Sequence, residues 1–126
     1  MEEEQRGDNI VGKHVYANLY NIDLDLAANE EVMKAVVVKA VKEANANLHD
    51  VQAWKFGGRK GGVSVLALVL ESHVAVHTWI EYNYATVDVY TCGEHTDPWK
   101  ALKVIIEALR PKHYTVHYAD RSQLPL

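Results

Sequence analysis

The stretch Leu70-Glu71-Ser72-His73-Val74-Ala75-Val76-His77-Thr78-Trp79 decides how the rest of the chain is read. Side chains of a strand alternate between faces, so Val74 and Val76 share one face while His73, Ala75 and His77 share the other. One face is apolar; the other carries two imidazoles just after a Glu-Ser pair. A half-buried strand with polar residues turned to water has this pattern, and so does a strand that presents histidines to a cleft.

The flanking segments extend the strand reading in both directions. Upstream, Val63 to Leu70 is nearly all apolar and rich in β-branched residues, with Ser64 as its one polar side chain. That is the composition of a central strand buried on both faces. Downstream, Asn83 marks a short turn, and Ala85, Val87 and Val89 then alternate with Thr86, Asp88 and Tyr90 up to Thr91-Cys92-Gly93. Val15, Ala17 and Leu19 alternate with His14, Tyr16, Asn18 and Tyr20 in the same way. His49 to Phe56 and His113 to Tyr118 also have strand composition. Between Phe56 and Val63, Gly57-Gly58-Arg59-Lys60-Gly61-Gly62 is a turn. Its spacing is not that of a P-loop, and no helix follows to lend its dipole to a phosphate.

Two segments carry helical signals. Asn29 is placed to cap a helix from about Glu30 to Ala46, in which Val32, Val36, Ala40 and Ala44 recur every four residues. Thr96-Asp97-Pro98 opens a second, where Leu102, Ile105, Ile106 and Leu109 form an apolar stripe that Pro111 ends. The order β-α-β-β-β-β-α-β predicts an α/β (α+β) domain: a mostly antiparallel sheet with two helices on one face. The other face is then partly apolar and open, and a second copy of the chain is the simplest partner for it. Residues 1 to 9 and 120 to 126 read as tails.

Composition narrows the classes of function. The chain has 126 residues, 48% apolar and 24% charged, the profile of one ordinary soluble globular domain spanning 1–126. A net charge of −4, with no basic cluster beyond Lys55 to Lys60, argues against a nucleic-acid partner. No apolar run approaches the roughly 18 residues of a membrane span, and the acidic N-terminus is no signal peptide. Cys92 is the only cysteine, which fits a reducing, cytoplasmic setting. His73 and His77 lack the further ligands of a metal site, so no metal is expected.

Three segments together carry a family resemblance: Glu71-Ser72-His73-Val74-Ala75-Val76-His77-Thr78-Trp79, then Tyr84-Ala85-Thr86-Val87-Asp88-Val89-Tyr90-Thr91-Cys92-Gly93, then Asp97-Pro98-Trp99-Lys100-Ala101. They resemble the small, proenzyme-type S-adenosylmethionine decarboxylases, which depend on a covalent pyruvoyl group. The resemblance implies a four-layer α-β-β-α sandwich made by two protomers stacking their sheets, and so a homo-oligomer. It also implies self-cleavage between Glu71 and Ser72 into residues 1–71 (β chain) and 72–126 (α chain). The Ser72 hydroxyl attacks the Glu71 carbonyl and the amide becomes an ester. Loss of the Ser72 α-proton then expels the Glu71 carboxylate, and the dehydroalanine left behind hydrolyses to the pyruvoyl group, the electron sink for decarboxylation. By the same resemblance His77 is the processing base, Cys92 the proton donor in turnover and Ser64 a helper near the cut. His73 is either a second participant or a strand residue facing the cleft.

The chain also departs from the common family pattern. Where that pattern runs Phe-x-Pro-x-Gly-Val-Ser-Gly, this sequence has Phe56-Gly57-Gly58-Arg59-Lys60-Gly61-Gly62-Val63-Ser64-Val65, with two extra residues and no proline. In the family that aromatic helps bind adenine, so a displaced Phe56 disturbs the stacking platform. The Gly-Gly-x-Lys-Gly-Gly-Val-Ser-Val run and the closing Tyr114-Thr115-Val116-His117-Tyr118-Ala119-Asp120-Arg121-Ser122 are similar to the branch that converts L-arginine to agmatine in polyamine biosynthesis. The guanidinium of arginine needs a carboxylate. Glu81, Asp23 and Asp25 are the candidates, with Phe56 beside them as a substrate-binding residue. The alternative substrate is S-adenosylmethionine, as aminopropyl donor for spermidine synthesis.

Overall fold

The computed structural model describes residues 9–123. All of the expected N-terminal tail except Asn9, and the last three residues of the C-terminal tail, lie outside the described residues. The order of elements is β1 (Gly12–Tyr20), α1 (Leu24–Ala27), α2 (Glu30–Glu43), β2 (Leu48–Phe56), β3 (Gly62–Val69), β4 (Ser72–Trp79), β5 (Tyr84–Cys92), α3 (Pro98–Leu109) and β6 (His113–Asp120). The six strands form one sheet in the order β2-β3-β4-β5-β1-β6, with every neighbouring pair antiparallel.

The helices cover one face. Met33, Val37, Ala40 and Val41 of α2 and Ala101, Leu102, Ile105 and Leu109 of α3 join Val15, Leu19, Val65, Val74, Val76, Val87 and Val89 in the core. Both main helices start as their capping residues dictate: Asn29 accepts from Glu31 and Val32 backbone N–H, and Asp97 from that of Trp99. Thr78, buried beneath this layer, ties β4 to its surroundings. Its hydroxyl accepts the Val63 N–H at 2.9 Å and lies 3.0 Å from the Ala27 carbonyl, to which it donates.

Three expectations are corrected. Among the described residues there are three helices, not two. The extra one, α1, is a single turn capped by Asp23, whose carboxylate accepts the Leu26 N–H at 3.2 Å. Four residues are too few to leave a periodic signature. Helix α2 ends at Glu43 rather than Ala46, because Asn45 takes a left-handed φ of 59° that reverses the chain. Finally, β3 is buried on one face only. Val63, Val65, Ala67 and Val69 are covered, but Leu66 and Leu68 stand 45% and 54% exposed, since no helix lies over that side. The open face therefore carries Leu66, Leu68, Tyr16 and Trp54 as exposed apolar groups.

Candidate active site

Ser72 opens β4 just after the two-residue reversal Leu70-Glu71. Regular alternation would put its side chain on the helix-covered face with Val74 and Val76. Instead Ser72 has φ 141°, a backbone conformation that L-residues avoid, and its hydroxyl lies 3.4 Å from the Cys92 thiol. The Glu71 carbonyl, one half of the Glu71–Ser72 peptide bond, accepts the Cys92 backbone N–H at 2.8 Å. Cys92 thus meets both partners of that bond, the hydroxyl through its thiol and the carbonyl through its amide. Directly across the ladder from Ser72 is Thr91. Its fully buried hydroxyl is the one buried side-chain polar atom without a partner among the described residues.

The Glu71 carboxylate is also held. Its oxygens accept the Asn47 backbone N–H at 2.9 Å, the Asn47 side-chain amide at 2.7 Å and His95 Nε2 at 2.9 Å. Burial pushes this carboxyl up, but those hydrogen bonds outweigh burial and hold it below its ordinary value.

Ser64 and His77 form a second cluster. They face each other across β3 and β4, with Ser64 Oγ 2.8 Å from His77 Nδ1. Within one chain this pair does not meet Ser72. His77 is five residue steps along β4 from Ser72, and at ~3.3 Å per step the two lie about 16 Å apart. A third cluster occupies the open face between them. Asp88 bridges His14 Nε2 at 2.6 Å and His73 Nε2 at 2.9 Å, and Arg121 approaches His14 Nδ1 at 3.4 Å while stacking over Tyr90 at 5.0 Å. Burial raises the Asp88 carboxyl, but hydrogen bonds from His14 and His73 together bring it below its ordinary value.

The substrate-side candidates fall into two groups. Phe56 and Glu81 line one cavity of about 240 Å³ with Gly58, Gly61 and Ile80. Asp25 lies in α1, and the Asp23 carboxylate caps that helix.

Sequence reasoning missed Asn47, His95, Thr91 and the His14–Asp88 bond. His14 and Asp88 sit on the open-face positions of their strands, so alternation together with a guess at strand pairing was the available signal. Asn47 and His95 come from connections, where no periodicity marks them.

The antiparallel sheet thus carries helices on one face and brings a serine, a cysteine and a Ser-His pair to the other. A sequence model of the S-adenosylmethionine decarboxylase family matches residues 13–122, and the chain belongs to that family. It is 59% identical over 122 residues to a protein of Hyperthermus butylicus named arginine decarboxylase proenzyme, covering 97% of this chain and 86% of that one. It is 58% identical over 120 residues to a protein of the same name from Aeropyrum pernix, covering 95% and 91%. The crystal structure of the adenosylmethionine decarboxylase from Aquifex aeolicus superimposes with a TM-score of 0.82 at 33% identity, covering 91% of this chain and 93% of that one.

Proposed function

We propose that this chain is a single-domain proenzyme that cuts itself between Glu71 and Ser72, converts Ser72 to a pyruvoyl group and decarboxylates L-arginine to agmatine and CO2. The observation that carries the reading is the strained Ser72, with Cys92 bonded to both its hydroxyl and the carbonyl before it. The Cys92 N–H polarises the Glu71 carbonyl, so the Ser72 oxygen attacks that carbon as the C–N bond breaks and the amine takes a proton. Loss of the α-proton then expels the Glu71 carboxylate. Water enters and ammonia leaves to complete the group. Cleavage also relieves the strain, because a pyruvoyl residue has a planar α-carbon and no peptide bond to Glu71. The unpartnered Thr91 hydroxyl opposite residue 72 offers a hydrogen bond to a new carbonyl there. When formed, a pyruvoyl group supplies the electron sink for the bond that breaks as CO2 leaves. The Cys92 thiol then returns a proton to the substrate carbon that lost it.

The base for the α-proton is the His77 imidazole, oriented by Ser64, but it is the partner copy's pair that serves each Ser72. Sheets packed face to face lie about 10 Å apart. A two-fold axis between the sheets and across the strands lays the Ser64–His77 end of one sheet over the Ser72–Cys92 end of the other. The exposed Leu66, Leu68, Tyr16 and Trp54 support a homodimer of this kind, the four-layer sandwich.

For substrate, the relatives named arginine decarboxylase proenzyme and the glycine-rich loop after Phe56 both favour arginine, with Glu81 as the carboxylate for its guanidinium. The Aquifex neighbour keeps S-adenosylmethionine as the second reading. Among the described residues no helix is long and apolar enough to cross a membrane. The lone Cys92 thiol suits the cytoplasm. The test is intact mass of the purified protein, followed by CO2 release from arginine and S-adenosylmethionine supplied separately. Two fragments and CO2 from arginine alone are expected. An uncut chain that still turns over ends the pyruvoyl reading, and CO2 from S-adenosylmethionine alone ends the choice of substrate.

A further inference from the structure

We infer that Asn47 and His95 are positioning residues for self-cleavage: they clamp the Glu71 carboxylate and so hold the Glu71–Ser72 peptide bond in its strained, attackable geometry. The inference rests on the reading that the chain cuts itself there. A glutamate in a two-residue strand reversal is ordinarily free in solvent, and the neighbouring Leu70 is 73% exposed. The Glu71 side chain is only 9% exposed and takes three donors from two different connections. Asn47 precedes β2 and His95 lies between β5 and α3. These connections are tied to each other as well as to the carboxylate: the Asn45 amide donates to the His95 carbonyl at 2.9 Å, and the Leu70 N–H to the Asn47 carbonyl at 2.9 Å. The clamp is therefore a scaffold rather than two loose side chains.

Its construction also explains the glycine that follows Cys92. Gly93 has φ 98°, and a Cβ there would lie 2.7 Å and 2.8 Å from ring atoms of His95. Only glycine lets the chain turn there and the imidazole lie flat against it on the way to Glu71. With the carboxylate anchored by Asn47 and His95, and the carbonyl anchored by the Cys92 N–H, residue 71 cannot swivel. The departure from regular strand geometry falls on Ser72, whose φ of 141° accompanies its hydroxyl's turn toward Cys92. Releasing the carboxylate frees residue 71 to rotate, and the bond relaxes toward an ordinary, unreactive peptide.

The experiment follows the cleavage rate of Asn47→Ala and His95→Ala proenzyme by intact mass, beside the unsubstituted chain, Ser72→Ala and His77→Ala. Loss of alignment between attacking oxygen and carbonyl slows cleavage about 10- to 100-fold, and His95→Gln, which keeps a donor, recovers part of the loss. Hydroxylamine separates this from a general loss of structure or a defect later in the reaction. It attacks an ester carbonyl at residue 71, its nitrogen bonding as the Ser72 oxygen leaves with a proton, and so cuts any chain whose ester has formed. It should cut His77→Ala but leave the slow cleavage of Asn47→Ala and His95→Ala unaccelerated. If the alanine variants do not fold, Glu71→Gln, similar in size but uncharged, carries the same expectation. Cleavage of these variants at the unsubstituted rate overturns the inference, and so does hydroxylamine cleavage equal to that of His77→Ala. An unsubstituted chain that stays whole overturns the proposed function instead.

Discussion

Mixing two inactive proenzymes tests whether the site is shared between copies. Ser72→Ala lacks the attacking hydroxyl, and His77→Ala lacks the base, so neither should mature alone. The nitrogen of a base must come within about 2.6–3.2 Å of the atom whose proton it takes. His77 lies about 16 Å along the strand from its own Ser72, farther than any rotamer of an imidazole spans. Each His77→Ala chain paired with a Ser72→Ala partner therefore regains a complete site, built from its own Ser72 and the partner's intact imidazole. Random assortment of equal amounts places about half of the His77→Ala chains in such pairs. Coexpression followed by intact mass should then find about half of the His77→Ala chains cut and none of the Ser72→Ala chains. A His77→Ala fraction that stays whole on mixing would refute the shared site, as would efficient cleavage of an unsubstituted chain trapped as a monomer.

Cys92→Ser keeps the backbone N–H, so it should still be cut, while turnover of the cleaved enzyme falls about 10²- to 10⁴-fold with loss of the thiol donor; single-turnover CO2 release measures this. Glu81→Gln should raise the KM for arginine about 30-fold, equivalent to ~2 kcal/mol, with kcat nearly unchanged in steady-state assays. Thr78→Val leaves the buried Val63 N–H without its acceptor and should cost about 1–3 kcal/mol, read from urea midpoints of uncleavable Ser72→Ala protein. Asp88 is held below its ordinary 3.8 by His14 and His73 against the pull of burial. Its stabilising contribution is thus complete above that value and is lost as pH falls through the lower folded-state value. Asp88→Asn should be less stable than the parent at neutral pH, and the gap in thermal midpoint should close in strong acid.

Most of the scaffold was legible because alternation is a local signal. The pattern of Val15, Ala17 and Leu19 placed β1, and those of Val74 with Val76 and Val87 with Val89 placed β4 and β5. Helix α3 could be read from Asp97-Pro98 and its apolar stripe. What failed was information that the local sequence does not hold. The composition of β3 records that both faces are apolar but not whether a helix covers the second, so Leu66 and Leu68 were misjudged. Ser64, Ser72, His77 and Cys92 were singled out only through a family pattern, and the pairing of Ser64 with His77 and of Ser72 with Cys92 was not read from it. The φ of Ser72 and the bonds from Asn47 and His95 to Glu71 arise where three separate connections converge, and no spacing along the chain encodes that meeting.

The strand order has a consequence for what a cut between Glu71 and Ser72 leaves behind. Residues 1–71 hold β1, β2 and β3, and residues 72–126 hold β4, β5 and β6. In the sheet these do not lie as two blocks: β1 sits between β5 and β6, while β3 borders β4. Three of the five ladders, β3–β4, β5–β1 and β1–β6, therefore join one fragment to the other. The pieces are interleaved like fingers of two hands. Cutting the chain removes a covalent link but no neighbour, so the fragments can part only when all three of those ladders open.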